Sequence, residues 1–305
     1  MVRKLAIIAC ILPLLAGCSA SKTEGAQKHL LWKVSDSNSS VYLLGSVHFA
    51  DASFYPLAHE ITDAFEHSDE LGVELDMSDT SVVKEIVVLS AQRGMLPEGE
   101  SLDRILPADV QSSLDSICAA WYIPLGTFNR YRPWAAAMTL SSIAIERKGF
   151  NPAYGIDFYF LRAARERGLP ILSLETVEEQ VDALTGEGVL DSLSIFYMKS
   201  TLRDMPLIDS SISMMMRAWK TGDVVMFRDA MELESQPKDE MDSLLTEEIN
   251  KRVYTLRNRK MAKTVEDLLA SDRKVFIVVG AAHLVGKDEN VIDLLRAKGF
   301  TAEQL

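Results

Sequence analysis

Two short stretches place a histidine three residues after a glycine, Gly45-Ser46-Val47-His48 and Gly280-Ala281-Ala282-His283. Each follows an apolar run, Val41–Leu44 in the first and Phe276–Val279 in the second, so the chain repeats a strand-Gly-x-x-His element near its two ends. Glycine at the end of a buried strand lets the backbone turn or approach a ligand closely, and the histidine then stands in the loop beyond the strand. A third apolar run, Leu71–Leu75, carries Glu74 and is followed by Asp76. If the three strands lie side by side and run parallel, two imidazoles and a carboxylate converge. Neutral imidazole and carboxylate bind first-row divalent ions, and three protein ligands leave positions open for water and substrate. An open site of that kind activates water for hydrolysis. A single histidine in such a loop is ordinarily a hydrogen-bonded structural residue. Two copies in one strand context, among only five histidines, set these two apart. His29 falls at the end of the N-terminal polar segment; His59 and His67 have polar neighbours on a helical pattern, so those two read as solvated.

The elements that must position these residues follow from periodicity. His29–Val34 and Val41–Leu44 read as strands of a hairpin joined by the polar segment 35–40. Pro56 suits the first turn of a helix that runs to Ser68, and Leu71–Leu75 is the next strand. The pattern from Ser78 to Gly149 is mainly helical, broken near 96–99 and 123–126. Tyr154–Arg167 reads as a helix stopped by Gly168, followed by a short strand, 170–174. A long helical stretch comes next, with Met214, Met215 and Met216 as core filling. Lys274–Val279 then forms a strand, 280–286 a turn and Asn290–Lys298 a helix. These elements make an α/β protein with a central mixed sheet flanked by many helices, and ligands of such sheets bind beyond the strand ends.

The N-terminus carries Arg3 and Lys4, then an apolar stretch, Leu5–Leu15, too short to span a bilayer and interrupted by Pro13. Leu15-Ala16-Gly17-Cys18 resembles the lipobox of bacterial lipoproteins. The expectation is a signal peptide at 1–17, lipidation of Cys18, a small polar tether at 18–28 and a single domain from 29 to 305. The partner implied is a lipid bilayer in a bacterial envelope. Ser19 after the anchor favours the outer membrane, facing the periplasm, by resemblance to the lipoprotein sorting rule. Cys118 would be alone in the mature chain, so no internal disulfide forms there, and its apolar helical neighbours mark it as a packed thiol. Loss of Arg3 and Lys4 takes the net charge from −12 to −14, which argues against a nucleic-acid partner. With 48% hydrophobic residues the chain can bury a substantial core.

Beyond the two Gly-x-x-His elements, the chain carries Val73-Glu74-Leu75-Asp76, Tyr154-Gly155-Ile156-Asp157, Leu174-Glu175-Thr176 with Glu179-Gln180, and Arg257-Asn258-Arg259-Lys260-Met261. Together with the stretch from Val279 to Gly286, these motifs resemble the TraB/GumN family, from Leu31 to Phe300. The resemblance implies a fold like that of the haem-binding ChaN and erythromycin-esterase group. It also implies Mn²⁺- or Co²⁺-dependent proteolysis, as in the TIKI branch, with Zn²⁺ compatible, and a peptide or protein substrate. Carried onto this chain, it makes His48 and His283 metal ligands and Glu74 either the third ligand or the general base. Asp157, Glu175, Gln180, Arg257 and Asn258 become candidates for holding substrate or neutralising charge. Two of these have structural alternatives, Glu175 as a helix cap and Asp157 as a first-turn acid. Many relatives carry a glutamate before the Arg-Asn pair, where this chain has Leu256. A second function class is a binding protein that sequesters a peptide, polysaccharide or porphyrin in the same crevice without turning it over.

Overall fold

The polar segment after the first strand closes as an Asx turn, in which Asp36 Oδ1 accepts the backbone N–H groups of Asn38 (3.0 Å) and Ser39 (2.8 Å). In the computed structural model, residues 27–185, 191–233, 239–271, 273–287 and 289–305 are described, so the expected signal peptide, Cys18 and most of the expected tether lie outside the described residues. Six strands form one sheet: β1 (Leu31–Ser35), β2 (Ser40–Ser46), β3 (Glu70–Val73), β4 (Ile171–Ser173), β5 (Val275–Gly280) and β6 (Thr301–Gln304). Their spatial order is β4-β3-β5-β2-β1-β6. β2, β5, β3 and β4 run parallel, while β1 pairs antiparallel with both β2 and β6. The sheet is mixed, with helices packed around it, as the alternation of apolar runs and helical stretches predicts.

The parallel centre explains the composition of its strands. Val275, Phe276, Ile277, Val278 and Val279 are all buried, because helices cover both faces of β5. Phe276 meets Phe65 and Phe160 edge-on or tilted, with ring centroids 5.6 and 4.9 Å away, which ties the sheet to helices His59–Glu66 and Ile156–Arg167. The second of those helices ends on Gly168 in the left-handed conformation, as its sequence requires. A second apolar core joins helices Ala108–Trp121, Pro133–Arg147 and Asp191–Asp204 through Leu114, Cys118, Leu140 and Met198. Cys118 is a buried thiol whose pKa burial raises, so it is inert packing. Met215 and Met216 are half-buried against the sheet core, in the filling role expected of them.

Three local expectations need correction. Pro56 is not in the first turn: it follows a cis peptide bond, and the helix begins only at His59, after Ala58. The segment after β5 is not an open turn, since Ala281–Val285 forms a short helix that buries His283. The chain does not end on a βα unit, because β6 follows and pairs with β1. His29, at the end of the expected tether, is buried: its backbone N–H meets the Leu305 carbonyl at 2.5 Å, and its Nε2 lies 3.4 Å from Glu60. Among the described residues no helix is long and apolar enough to cross a membrane.

Candidate active site

The strand order places three chemical loops along one edge. β5 lies between β2 and β3, all three parallel, so the residues that follow them, His48, Glu74 and the short helix that carries His283, leave the sheet at the same end. This is where the strand order reverses, the usual crevice of open α/β sheets.

The two Gly-x-x-His copies are not in equivalent register. Gly45 pairs with Val279 and Ser46 with Gly280, one residue out of step with the sequence alignment. The glycines therefore do different work. A Cβ on Gly45 would stand 3.0 Å from both Cα and Cβ of Ala281, so Gly45 lets the short helix after β5 pack onto β2. Gly280 faces the site. A Cβ there would lie 3.3 Å from Glu74 Oε1, 3.6 Å from His48 Nε2 and 3.6 Å from His283 Cδ2. All three predicted ligands thus surround the space that the missing side chain leaves.

Each imidazole is held by its other nitrogen. His48 Nδ1 lies 2.8 Å from Asp157 Oδ2, and Ser46 Oγ donates to Asp157 Oδ1 at 2.7 Å. Asp157 does occupy the first turn of its helix, but its carboxylate is spent on His48 and Ser46. The Ile156 N–H to Val47 carbonyl bond (3.1 Å) docks that helix against the His48 loop. His283 Nδ1 lies 2.6 Å from Asn258 Oδ1, and Asn258 Nδ2 donates to the Glu289 carbonyl at 2.9 Å. The carbonyl fixes which end of the amide is nitrogen, so Asn258 Oδ1 accepts from His283 Nδ1–H and the Nε2 lone pair is left free. That Nε2 stands 3.8 Å from Glu74 Oε1. Two electron-rich atoms facing each other in a buried site call for a proton or a cation between them.

Glu74 is held on both oxygens. Oε1 accepts the Gly280 N–H at 2.7 Å, while Oε2 accepts from Arg257 Nη2 at 2.7 Å and Gln180 Nε2 at 3.1 Å. Arg257 also grips Glu175 through Nε and Nη2, both at 2.7 Å, a bidentate pair in which the Glu175 side chain is 1% exposed. Glu175 is therefore no helix cap; Thr176 and Glu179 form the capping box beside it. Two carboxylates share one guanidinium, which leaves one negative charge in the crevice. Leu256, just before the Arg257-Asn258 pair, is half-exposed.

The charges follow from this packing. Burial opposes ionisation of Glu74, yet His283, His48, Arg257 and the Gly280 N–H outweigh it and lower its pKa to about 2. Burial lowers His283 to about 4 against the pull of Glu74, which leaves the ring neutral at pH 7. The Asp157 carboxylate raises His48 to about 9 against partial desolvation. In the metal-free protein the His48 ring is expected to titrate well above 6.5, and Asp157→Asn to return it toward that value, as read by NMR. Because the folded pKa is raised, this pair stabilises the fold fully below pH 6.5 and the contribution is lost as pH rises through about 9. An unchanged His48 titration in the variant would remove Asp157 from this role.

One contributor was not foreseen. A π-helical turn, Lys251–Thr255, precedes the helix Leu256–Leu269 and sets Tyr254 edge-on to His283, with ring centroids 5.7 Å apart. Nothing in the sequence marks it, because one residue inserted into a helical turn rotates every side chain away from its α-helical position.

The resemblance noted in the sequence implies a divalent ion held by His48, His283 and Glu74. Among the described residues, no three His, Cys, Asp or Glu side chains come together in a group that could hold a metal ion. The donor types nevertheless suit such an ion: His283 Nε2 is free, His48 Nε2 becomes so once the proton that Asp157 favours is displaced, and a carboxylate oxygen and a net negative charge stand beside an open glycine. Gly280→Ala probes this directly. Gly280 has φ −50° and ψ 133°, open to alanine, so stability should change by no more than about 1 kcal/mol. The methyl group would occupy the space between the donors, so Mn²⁺ binding measured by calorimetry should be lost. A variant that binds Mn²⁺ like the wild type would show that the ion does not sit there.

Comparison with known proteins agrees with the motifs. The model of the TraB/PrgY/gumN family matches residues 30–304. A protein named metalloprotease TIKI homolog, from Amphimedon queenslandica, is 25% identical over 99% of this chain and 66% of its own length. Metalloprotease TIKI1 of Xenopus tropicalis is 25% identical over 93% of this chain and 63% of its own length. The chain thus spans just under two thirds of these relatives. The uncharacterized protein YbaP of Escherichia coli is 24% identical over 88% of this chain and 94% of its own length. No solved structure matches.

Proposed function

Given that the chain belongs to the TraB/PrgY/gumN family, we propose that it is a metal-dependent hydrolase of peptide bonds, held at the cell envelope by a lipid on Cys18. The observation that carries this reading is the convergence of His48 Nε2, the His283 ring and Glu74 Oε1 on the open face of Gly280. The metalloprotease names of the TIKI relatives support it. His48, His283 and Glu74 would hold Mn²⁺ or Co²⁺, with Zn²⁺ compatible. When bound, such an ion supplies a water of lowered pKa and a Lewis acid for the carbonyl.

The remaining roles belong to the chain itself. Asp157 and Asn258 orient the two imidazoles. Glu74 is the carboxylate nearest the reacting centre and serves as third donor or as proton acceptor through Oε1. Gln180 and the Gly280 N–H fix its plane. Arg257 keeps Glu74 ionised and presents positive charge beside the place where an oxyanion develops. The substrate class is a peptide or an exposed segment of an envelope protein, and the acidic chain makes nucleic acid a poor partner.

The second reading, capture of a ligand without turnover, is favoured by one observation: both Glu74 oxygens are already engaged, by Gly280, Arg257 and Gln180. Metal content after separate loading with Mn²⁺, Co²⁺ and Zn²⁺, together with peptide turnover, separates the two. Near-stoichiometric metal and cleavage in the wild type, both absent from the His48→Ala/His283→Ala variant, is the expected result. Turnover that His48→Ala leaves unchanged, or no metal in either protein, would sink the hydrolase.

A further inference from the structure

The chain enters the folded domain at the end of the sheet that carries the site. β1 runs antiparallel to β2, with Leu31 opposite Leu44 and Ser35 opposite Ser40, so it starts at the end of β2 that leads to His48. The Gly45 N–H donates to the Leu30 carbonyl at 2.7 Å, which sets the entering chain level with the first Gly-x-x-His element. β1 is two strands from β5, a lateral distance of about 10 Å. Several bonds hold the chain there. Gln304 Nε2 donates to the His29 carbonyl at 2.8 Å and to the Gly222 carbonyl at 2.7 Å, and Gln27 Nε2 donates to the Lys220 carbonyl at 2.9 Å. A Cβ on Gly222 would overlap the Lys28 carbonyl, so the end of helix Ile208–Thr221 lies directly against the entering chain. Trp219 of that helix donates its indole N–H to the Gly45 carbonyl at 2.7 Å.

We propose that the Gly280 crevice faces the bilayer that holds the Cys18 lipid, and that its substrates are extended peptide segments of membrane-anchored proteins within about 30 Å of that bilayer. The inference rests on the hydrolytic, lipid-anchored reading and adds where the substrate lies. Nine peptide units separate Cys18 from Gln27, and they reach at most about 30 Å however they are arranged. A domain of this size is about 50 Å across, so carrying the fixed point round to the side away from the bilayer would take about 80 Å of chain. The tether is long enough to tilt the domain and too short to turn the crevice outward. The chain's net charge of −12 is repelled by anionic lipid, so the domain stands off the surface. A folded domain of ordinary size does not enter a gap of about 30 Å. An extended segment does, such as the linker between another protein's anchor and its folded body.

The test uses the full-length lipidated protein in vesicles of phosphatidylethanolamine and phosphatidylglycerol that carry an energy-transfer acceptor. A donor dye is placed on Ala153→Cys, in the exposed segment that packs on the His48 carbonyl, or on Ser37→Cys, in the β1–β2 turn at the opposite end of the sheet. Cys118 is buried and takes no dye. Transfer is expected to be several-fold stronger from position 153. A helical spacer of Glu-Ala-Ala-Ala-Lys repeats inserted after Ser21, about 45 Å long, should abolish that difference. Lipid-anchored peptides are offered in the same vesicles, their cleavable segment set on a short linker or on the same spacer, and the near one should be cut at least about 10-fold faster. Equal transfer from the two positions, or stronger transfer from position 37, overturns the orientation whether or not any peptide is cut. Equal cutting of the two peptides overturns the substrate assignment. Transfer favouring position 153 with neither peptide cut overturns the hydrolytic reading and leaves the orientation standing. A Cys18→Ala variant that stays on the vesicles as firmly as the wild type overturns the anchor and the proposal with it.

Discussion

Arg257→Ala is expected to destabilise the protein by about 3–5 kcal/mol, the range for removing one partner of a buried ion pair. The magnitude comes from what the variant leaves behind. Glu74 and Glu175 have side chains 10% and 1% exposed, and the guanidinium between them is the only cation that either is bonded to among the described residues. Without it, two carboxylates stay buried with no cation bonded to either, and the nearby positive charge on His48 is already paired with Asp157. Arg257→Lys should recover only part of the loss, because an ammonium cannot make the two parallel bonds to Glu175 and still reach Glu74. Glu175→Gln in the Arg257→Ala background should recover part as well, since one uncompensated charge disappears. The depressed pKa of Glu74 means its pairing stabilises the fold above about pH 4.5 and the contribution is lost as pH falls through about 2. The gap between wild type and Arg257→Ala should therefore narrow in acid. Urea unfolding at several pH values measures all of this, and a loss below 1 kcal/mol at pH 7 would mean that solvent reaches these carboxylates.

Glu74→Gln should have a different profile, a smaller effect on stability and a large one on chemistry. Glutamine keeps an oxygen for the Gly280 N–H but turns its NH2 toward the donors Arg257 Nη2 and Gln180 Nε2, at a cost of about 1–3 kcal/mol, while the bidentate Arg257–Glu175 pair survives. What goes is the negative charge beside His283 and any capacity to accept a proton. On the hydrolytic reading, kcat/KM for a cleaved peptide should fall about 10²–10⁴-fold, the range for losing a general base. Calorimetry and unfolding on the same preparation separate the two effects. A variant that folds and still turns over at the wild-type rate would exclude Glu74 from the reaction and leave Arg257–Glu74–Glu175 as a structural network.

The contrast between these two substitutions shows what could be read from the chain. The types of residue were legible. Strand, glycine and histidine recur at Gly45–His48 and Gly280–His283 because a buried parallel strand is written as a continuous apolar run and its loop begins where that run stops. Glu74, at the end of a third such run, belonged with them for the same reason, and the parallel order β3-β5-β2 brought the three together. The offset of one residue between β2 and β5 was not legible, and it gives Gly45 to packing and Gly280 to the site. Register is a property of two strands, and neither one encodes it alone.

Local sequence determined the elements and the donor types, because helix and strand preferences and apolar periodicity act over a few residues. It gave the Asx turn at Asp36, the stop at Gly168, the apolar β5 and the buried Cys118. Tertiary structure alone decided the partnerships. Asp157 reaches His48 from 109 residues away, and Arg257 reaches Glu74 from 183. Tyr254 meets His283 only because a π-helical turn rotates it there. Such contacts depend on which helix docks on which loop and by how many degrees it is turned. Those quantities are set by packing of the whole core, so a window of neighbouring residues does not contain them.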